Sequence, residues 1–596
     1  MFALLGGVAL SGALLGAQTR VDAGPQAWSI SSLPDYGGEP SMVSDSKGVL
    51  YVATPSGGGL SYRSNDKGKT WHKTEGQADT LSGDNCLGRD QSDAIYLCNL
   101  AGSVSTLPLQ ADAFKTTDQG HTWTHGAGFA PMCGTSCSVF GVDRDWIDAA
   151  ILPPATTTDQ AEVVLMYHDF YGPSQIWVNI STDGGKTFGQ PQDVLAAPAV
   201  TQGAVAGTVV AQGYTMCNTV PAGVGIVRPG LPHAGRIYVG WIASDPAQNA
   251  TGCNITMLQS FHTVWASWSD DNGASWTPQQ AIDLGVGHDA STPFVGFTLD
   301  NQGNPYFGLA AQDPSGNPAA CAAESTAGLV QGDKSCQYNM YVIWSKDGGA
   351  TWNDGTGTVP GSAGTPYEAS PPDEAGTHFF PAIAAGDPGQ VDVSYLYAPQ
   401  TLPTDPLGKA DPGGCAGPGP GNGNPPTYPP ACEWNLEASQ SLDLTAAPGS
   451  EHWSHSAVTT TPMHVGDICN LGIFCVDPNS DRSLLDFIQE SIDPSTGCAH
   501  IAYPDNNIVN KMRVANQTSG CMPLASLKSA SPAVTPTAAA STPAANPTVA
   551  PAATVSTPNT TASGSSGARA GMAALASLVA VAVLAPRRRR RRSREG

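Results

Sequence analysis

A chain of 596 residues could hold several domains, and its charge narrows what those domains can do. Seven of the 27 basic residues and one of the 50 acidic residues fall in residues 587–596, so the rest of the chain carries 20 against 49, a net of −29. A body this acidic excludes gripping phosphate backbones, and with it nucleic acid as a partner; it favours solubility and divalent cations. Helix-period patterns are scarce, whereas 68 Gly and 49 Pro fit many short strands joined by turns, an all-β class.

Residues 1–17 are a short apolar run ending in small residues, which reads as a secretory signal peptide. From residue 24 to 521 the chain repeats one unit. The first opens at Gly38-Glu39-Pro40, continues through Val49-Leu50-Tyr51-Val52, and ends in the octamer Ser64 to Trp71. Further octamers run Thr116 to Trp123, Ser181 to Phe188, Ser269 to Trp276 and Ser345 to Trp352, all fitting Ser/Thr-x-Asp-x-Gly-x-Ser/Thr-Trp/Phe. The pattern reads as a hairpin turn. The Asp carboxylate (Asp66, Asp118, Asp183, Asp271, Asp347) accepts from turn N–H groups, Gly supplies the positive φ, and the aromatic ring anchors the next strand. Two later units lack the octamer: one opens at His378-Phe379-Phe380 with a strand at Val391 to Tyr395, the other at Asp481-Arg482 to Asp486 with a strand at Ala499 to Tyr503. The box aspartates are 52, 65, 88 and 76 residues apart, so loops of differing length are inserted into a blade of about 40–50 residues. The count is a β-propeller of seven blades, or six if one unit merges with its neighbour.

The 14 cysteines fall in near neighbours: Cys86 with Cys98, Cys133 with Cys137, Cys217 with Cys253, Cys321 with Cys336, Cys415 with Cys432, Cys469 with Cys475, and Cys498 with Cys521. No Cys-x2-Cys pair faces a second pair at zinc spacing, so disulfide staples and an oxidising, extracytoplasmic setting are expected. Beyond the propeller, residues 529–567 are Ala/Ser/Thr/Pro-rich and read as an extended, low-complexity stalk. Residues 570–585 form an apolar membrane or sorting segment, and the basic tail 587–596 marks the cytoplasmic side. The expectation is a monomeric propeller held outside the cell surface.

In a propeller the residues at blade openings converge on one mouth of the central channel. Here those residues are Glu39, Asp84, then Asp143, Arg144 and Asp145, then Asn218, His288, Asp289, His378, and last Asp481, Arg482 and Asp486. Two openings share Asp-Arg-x-x-x-Asp, at Asp143 to Asp148 and at Asp481 to Asp486. Arginine forks suit an anionic sugar; ion pairs tying neighbouring strands together are the plainer reading. Asp143, Asp145 and Asp148 are the one candidate calcium cluster, and no other cofactor is expected. Walker, dinucleotide and Gly-x-Ser-x-Gly motifs are absent from suitable contexts.

The octamers resemble the Asp-box, or BNR repeat, of sialidases and of many other β-propellers, over roughly residues 38–521. The resemblance implies a propeller with the boxes at its rim. Sialidases hold a substrate carboxylate with three arginines beside a Tyr/Glu nucleophile pair and an Asp acid, the first arginine lying in a Phe/Tyr-Arg-Ile-Pro motif. The first unit here opens Glu39-Pro40-Ser41-Met42 and departs from that motif. The residues left for such a site are Arg144, Arg236 and Arg482 as the arginines, Glu490 and Tyr503 as the pair, and Asp145 and Asp486 as further carboxylates. Two functions from different classes follow: binding of an extracellular glycan or protein at the channel mouth, or sialidase-like exo-hydrolysis of an anionic sugar. A structural surface-layer or adhesion role is the third.

Overall fold

A computed structural model describes residues 24–528, apart from 56–59, 76–83, 102–109, 127–141, 170–175, 196–208, 212–213, 217, 245–260, 286–287, 289, 291–293, 313–337, 354–364, 373, 375, 400–432, 446–448, 467 and 469–481. The signal peptide, stalk, apolar segment and basic tail expected at the ends lie outside the described residues.

Seven sheets of four antiparallel strands, one of them extended by a fifth, make a seven-bladed β-propeller. In chain order their innermost strands are Ser41–Ser44, Asn85–Arg89, Val142–Ala150, Asn218–Ile226, Gly296–Leu299, Thr377–Ala385 and Gln489–Ile492. Blades 1 to 6 run from inner to outer strand without a crossover. Blade 7 differs. Its inner three strands are Gln489–Ile492, Ala499–Asp505 and Lys511–Ser519, and its outer strand is Ala27–Ser32 from the opposite end of the chain, paired so that Ala27 meets Ser519 and Ser32 meets Arg513. First and last segments thus close the ring, all within one compact unit. The seventh blade therefore opens later than the sequence suggested: Arg482 to Asp486 precede its first strand rather than forming it.

The core is divided in the same way. Seven apolar clusters fill the seven interfaces between neighbouring blades, and the cluster of Met42, Leu50, Val52, Tyr62 and Trp71 with Ala502, Met512 and Val514 seals blade 1 against blade 7. Second strands such as Pro305–Gln312 are buried on both faces, so they read as continuous apolar runs. Each fully buried aliphatic side chain in these layers contributes roughly 1.5–3 kcal/mol.

The five octamers join the third and outer strands of blades 1 to 5, each built as expected. In blade 3, Ser181 Oγ donates to Asp183 Oδ1 at 2.8 Å and accepts the Gly185 N–H at 2.9 Å. The Thr187 N–H and hydroxyl reach the two carboxylate oxygens at 2.9 and 2.6 Å. Blade 6 carries a stretched relative of the same turn: Ser441 Oγ bonds Asp443, whose Oδ1 accepts the His452 N–H at 2.8 Å. Its aromatic residue is Trp453, and the insertion between Asp443 and His452 hides the pattern from a fixed-spacing reading.

Disulfides join Cys86 to Cys98 across the first two strands of blade 2, and Cys498 to Cys521 at blade 7, two of the seven pairings expected from neighbour spacing. The other five pairings fall outside the described residues: Cys133 with Cys137, Cys217 with Cys253, Cys321 with Cys336, Cys415 with Cys432, and Cys469 with Cys475.

Candidate functional site

The inner strands of all seven blades line a cavity of ≈ 540 Å³ along the channel axis, and the segments leading into those strands make the channel mouth. The hairpins joining first to second strands lie at the opposite end, and Arg228, Asp300, Asn301 and Gly386 among them line the cavity. Several of these hairpins are pinned by an aspartate: Asp45, Asp90 and Asp300 each accept N–H groups two and four residues on, at 2.8–3.2 Å. The long connections (102–109, 245–262, 313–337, 399–432) all join second to third strands in chain order, and nearly all of their residues lie outside the described ones.

At the mouth, Arg144 is set by a break in β pairing. The register between the first two strands of blade 3 shifts between Asp143 and Asp145, and Arg144 sits in the gap with φ +45°. Such a bulge turns a side chain out of the strand's alternation. Its guanidinium lies over the Trp146 ring at 4.5 Å and the Phe487 ring at 4.3 Å, and donates to the Asn85 carbonyl at 3.4 Å. Phe294 extends the aromatic group, 5.4 Å from Phe487. Trp146, Phe294 and Phe487 all face the cavity.

Beside it, Arg482 pairs with Asp486 at 2.6 Å and Glu39 at 3.4 Å, joining the segments that lead into blades 7 and 1. Burial holds the Glu39 carboxyl well above the usual range, helped by the charges of Asp486 and Asp84 and opposed by Arg482 and Arg144. Burial would lower Arg482, but Asp486 and Glu39 outweigh it and raise the guanidinium. Gly38 is required here by close approach: a Cβ would meet the Leu484 carbonyl oxygen at 2.6 Å. This cluster is the ion-pair reading of the sequence made concrete.

The remaining sequence candidates separate. Arg236 immediately precedes the second strand of blade 4, Ile237–Ser244, so it stands at the hairpin end, opposite Arg144. There it pairs bidentately with Asp270 at 2.7 Å and donates to the Gly348 carbonyl at 2.6 Å, tying the rim of blade 4 to the box of blade 5. Arg144, Arg236 and Arg482 therefore do not converge. The two Asp-Arg-x-x-x-Asp stretches are not equivalent either, because Asp148 bonds Arg228 at 2.8 Å whereas Asp486 bonds Arg482. Asp145 and Asp148, three apart on one strand, point to opposite faces, and Asp145 lies against the Cys86–Cys98 disulfide; with sulfur already bonded, that group holds no metal. The side chains of Asp143, Asn218 and Asp481 lie outside the described residues, as does Asp289. Glu490 accepts from Ser394 at 2.9 Å instead of meeting Tyr503, which is buried between blades 6 and 7.

A second polar cluster, which the sequence reading missed apart from His378, stands on blade 6 beside the mouth. His378 Nδ1 is 2.8 Å from the Tyr338 carbonyl and Nε2 is 3.3 Å from Glu374. Burial and the Glu374 charge push Glu437 up to about 8. Its signal was the alternation Asn435, Glu437, Ser439 along one strand opposite Tyr395 and Tyr397, polar groups where a buried strand should be apolar.

No protein-family model matches the chain, and no curated protein matches it. Among solved structures it is similar to a polysaccharide lyase, the PL25 ulvan lyase (12% identity over 85% of this chain and 100% of that one, TM-score 0.42). It is also similar to a Penicillium chrysogenum alpha-L-arabinanase (14%, 62% and 93%, 0.34) and the Ruminococcus gnavus intramolecular trans-sialidase (11%, 84% and 98%, 0.31). At these scores the likenesses carry no argument, and the propeller rests on its own sheet order.

Proposed function

We propose that this protein is a glycan-binding propeller whose binding surface is the channel mouth, displayed outside the cell by the segment that follows the propeller. The observation that carries the reading is the aromatic group of Trp146, Phe294 and Phe487, held by the buried Arg144 and lining a central cavity of ≈ 540 Å³. Aromatic faces suit the C–H face of a sugar ring, and a few charged groups at their edge fix orientation through hydroxyl or carboxylate groups. Binding is favoured over sialidase-like hydrolysis because Arg236 stands at the far end of blade 4, so three arginines do not meet. Among the described residues no helix is long and apolar enough to cross a membrane, and residues 570–585 lie outside them.

The test is a glycan array probed with residues 24–528, followed by titration calorimetry on any glycan retained. Trp146→Ala should weaken binding about tenfold or more, as loss of a buried aromatic anchor does. An array without a retained glycan, or a Trp146→Ala variant that binds unchanged, would sink the proposal.

A further inference from the structure

Away from the mouth, the junction of blades 6 and 7 holds two buried acids without a cation. Asp392, on the second strand of blade 6, is 0% exposed, and Glu490, on the inner strand of blade 7, is 3% exposed. Asp392 Oδ2 accepts from Gln26 and Gln440, both at 3.0 Å, and Glu490 Oε2 accepts from Ser394 at 2.9 Å. The other oxygens, Asp392 Oδ1 and Glu490 Oε1, receive no N–H or O–H, and the two carboxyls lie within hydrogen-bonding reach of each other.

Among the described residues, the surrounding elements supply no positive charge. Blade 6 faces the pair with Ser394 and Gln440, and the N-terminal segment faces it with Gln26; Tyr395, three residues from Asp392, points to the opposite face against blade 5 and is bonded to Ser439. His500 on the second strand of blade 7 is bonded to Asn516 and feels Asp493 and Lys67 instead. Two ionised carboxylates cannot share so dry a place unpaired. A single proton between Oδ1 and Oε1 removes one charge and satisfies both acceptors.

The same network reaches the closing strand. Gln26 Oε1 accepts from Ser456 Oγ at 2.7 Å, and Ser456 in turn accepts from the Trp28 indole N–H at 3.0 Å. Five pieces of chain meet here: three strands of blade 6, the inner strand of blade 7, and the N-terminal strand that completes the ring.

We propose that Asp392 and Glu490 hold one proton between them in the folded ring, and that this proton latches blade 7 and its N-terminal strand against blade 6, so that alkaline conditions loosen the closure. The sign follows from proton uptake on folding. Burial raises both groups, Asp392 to about 6 and Glu490 well above the usual carboxylate range. Their contribution is complete below the unfolded carboxylate range near about pH 4 and is lost as pH rises through the folded values.

Hydrogen exchange of the Ala27–Ser32 amides tests this, corrected for the intrinsic pH dependence of exchange. In the wild type their protection should fall about tenfold or more between about pH 5 and about pH 9, the scale of a shift of one unit or more. Glu490→Gln places a permanent N–H donor where the proton sits, so its protection should stay level across that range. If Glu490→Gln does not fold, Asp392→Asn offers the same donor from the other side and should behave alike. Two results would overturn the proposal: a variant that retains the wild-type pH dependence, or calcium chloride restoring wild-type protection at the alkaline end, which would put a cation where the proton is drawn.

Discussion

Asp183 shows what a single repeated residue does. Its carboxylate collects two N–H groups and two hydroxyls from its own turn, and these hydrogen bonds outweigh burial and lower its pKa. Asp183→Ala should cost about 1–2 kcal/mol, the scale of losing a helix cap, read as a lower urea midpoint with unchanged m-value. The box was legible in the sequence because every bond in it is local, spanning at most four residues. Arg236 was not, although its position holds the needed information: a residue that immediately precedes a second strand stands at the hairpin end of its blade. Arg144 needed the structure, since nothing in the sequence marks the one-residue bulge that turns it toward Trp146 and Phe487.

Among elements, the strand Ala27–Ser32 matters out of proportion to its length. It is half exposed and its partner lies at Lys511–Ser519, so neither apolar alternation nor local turn chemistry announces it. Deleting residues 24–32 would leave Lys511–Ser519 as an open edge and strip Trp28 and Ile30 from the cluster between blades 6 and 7. The truncated chain should lose cooperative unfolding in calorimetry and self-associate in size-exclusion chromatography; a monomer with the wild-type transition would contradict this account of closure. Blade count was legible from the units, while the limits of blades 6 and 7 were not. Their turns are stretched or replaced, and in blade 7 the rim is completed by a strand from the other end of the chain.

For the whole molecule, two sets of carboxyls pull stability in opposite directions with pH. Hydrogen bonds from Thr122 hold Asp118 near about 2, and Asp66 reaches about 2 as Thr70 and Ser64 outweigh burial, so their contribution is present above the unfolded range and lost in strong acid. Burial raises Glu162 to about 7 and Glu437 to about 8, contributions complete below the unfolded range and lost as pH climbs through those values. The two windows overlap near about pH 4–5, where the melting temperature should peak. Self-repulsion among the excess acids steepens the alkaline side. Calorimetry from about pH 3 to about pH 9 checks this, and a maximum at neutral pH or above would refute it.

Ala27 lying against Ser519 has a topological consequence. The ring is continuous in space and interrupted in the polypeptide at one blade only, so numbering it from blade 1 is a convention of the gene. A chain reopened at another hairpin, with its present ends joined, would spell the same circle from a different starting letter.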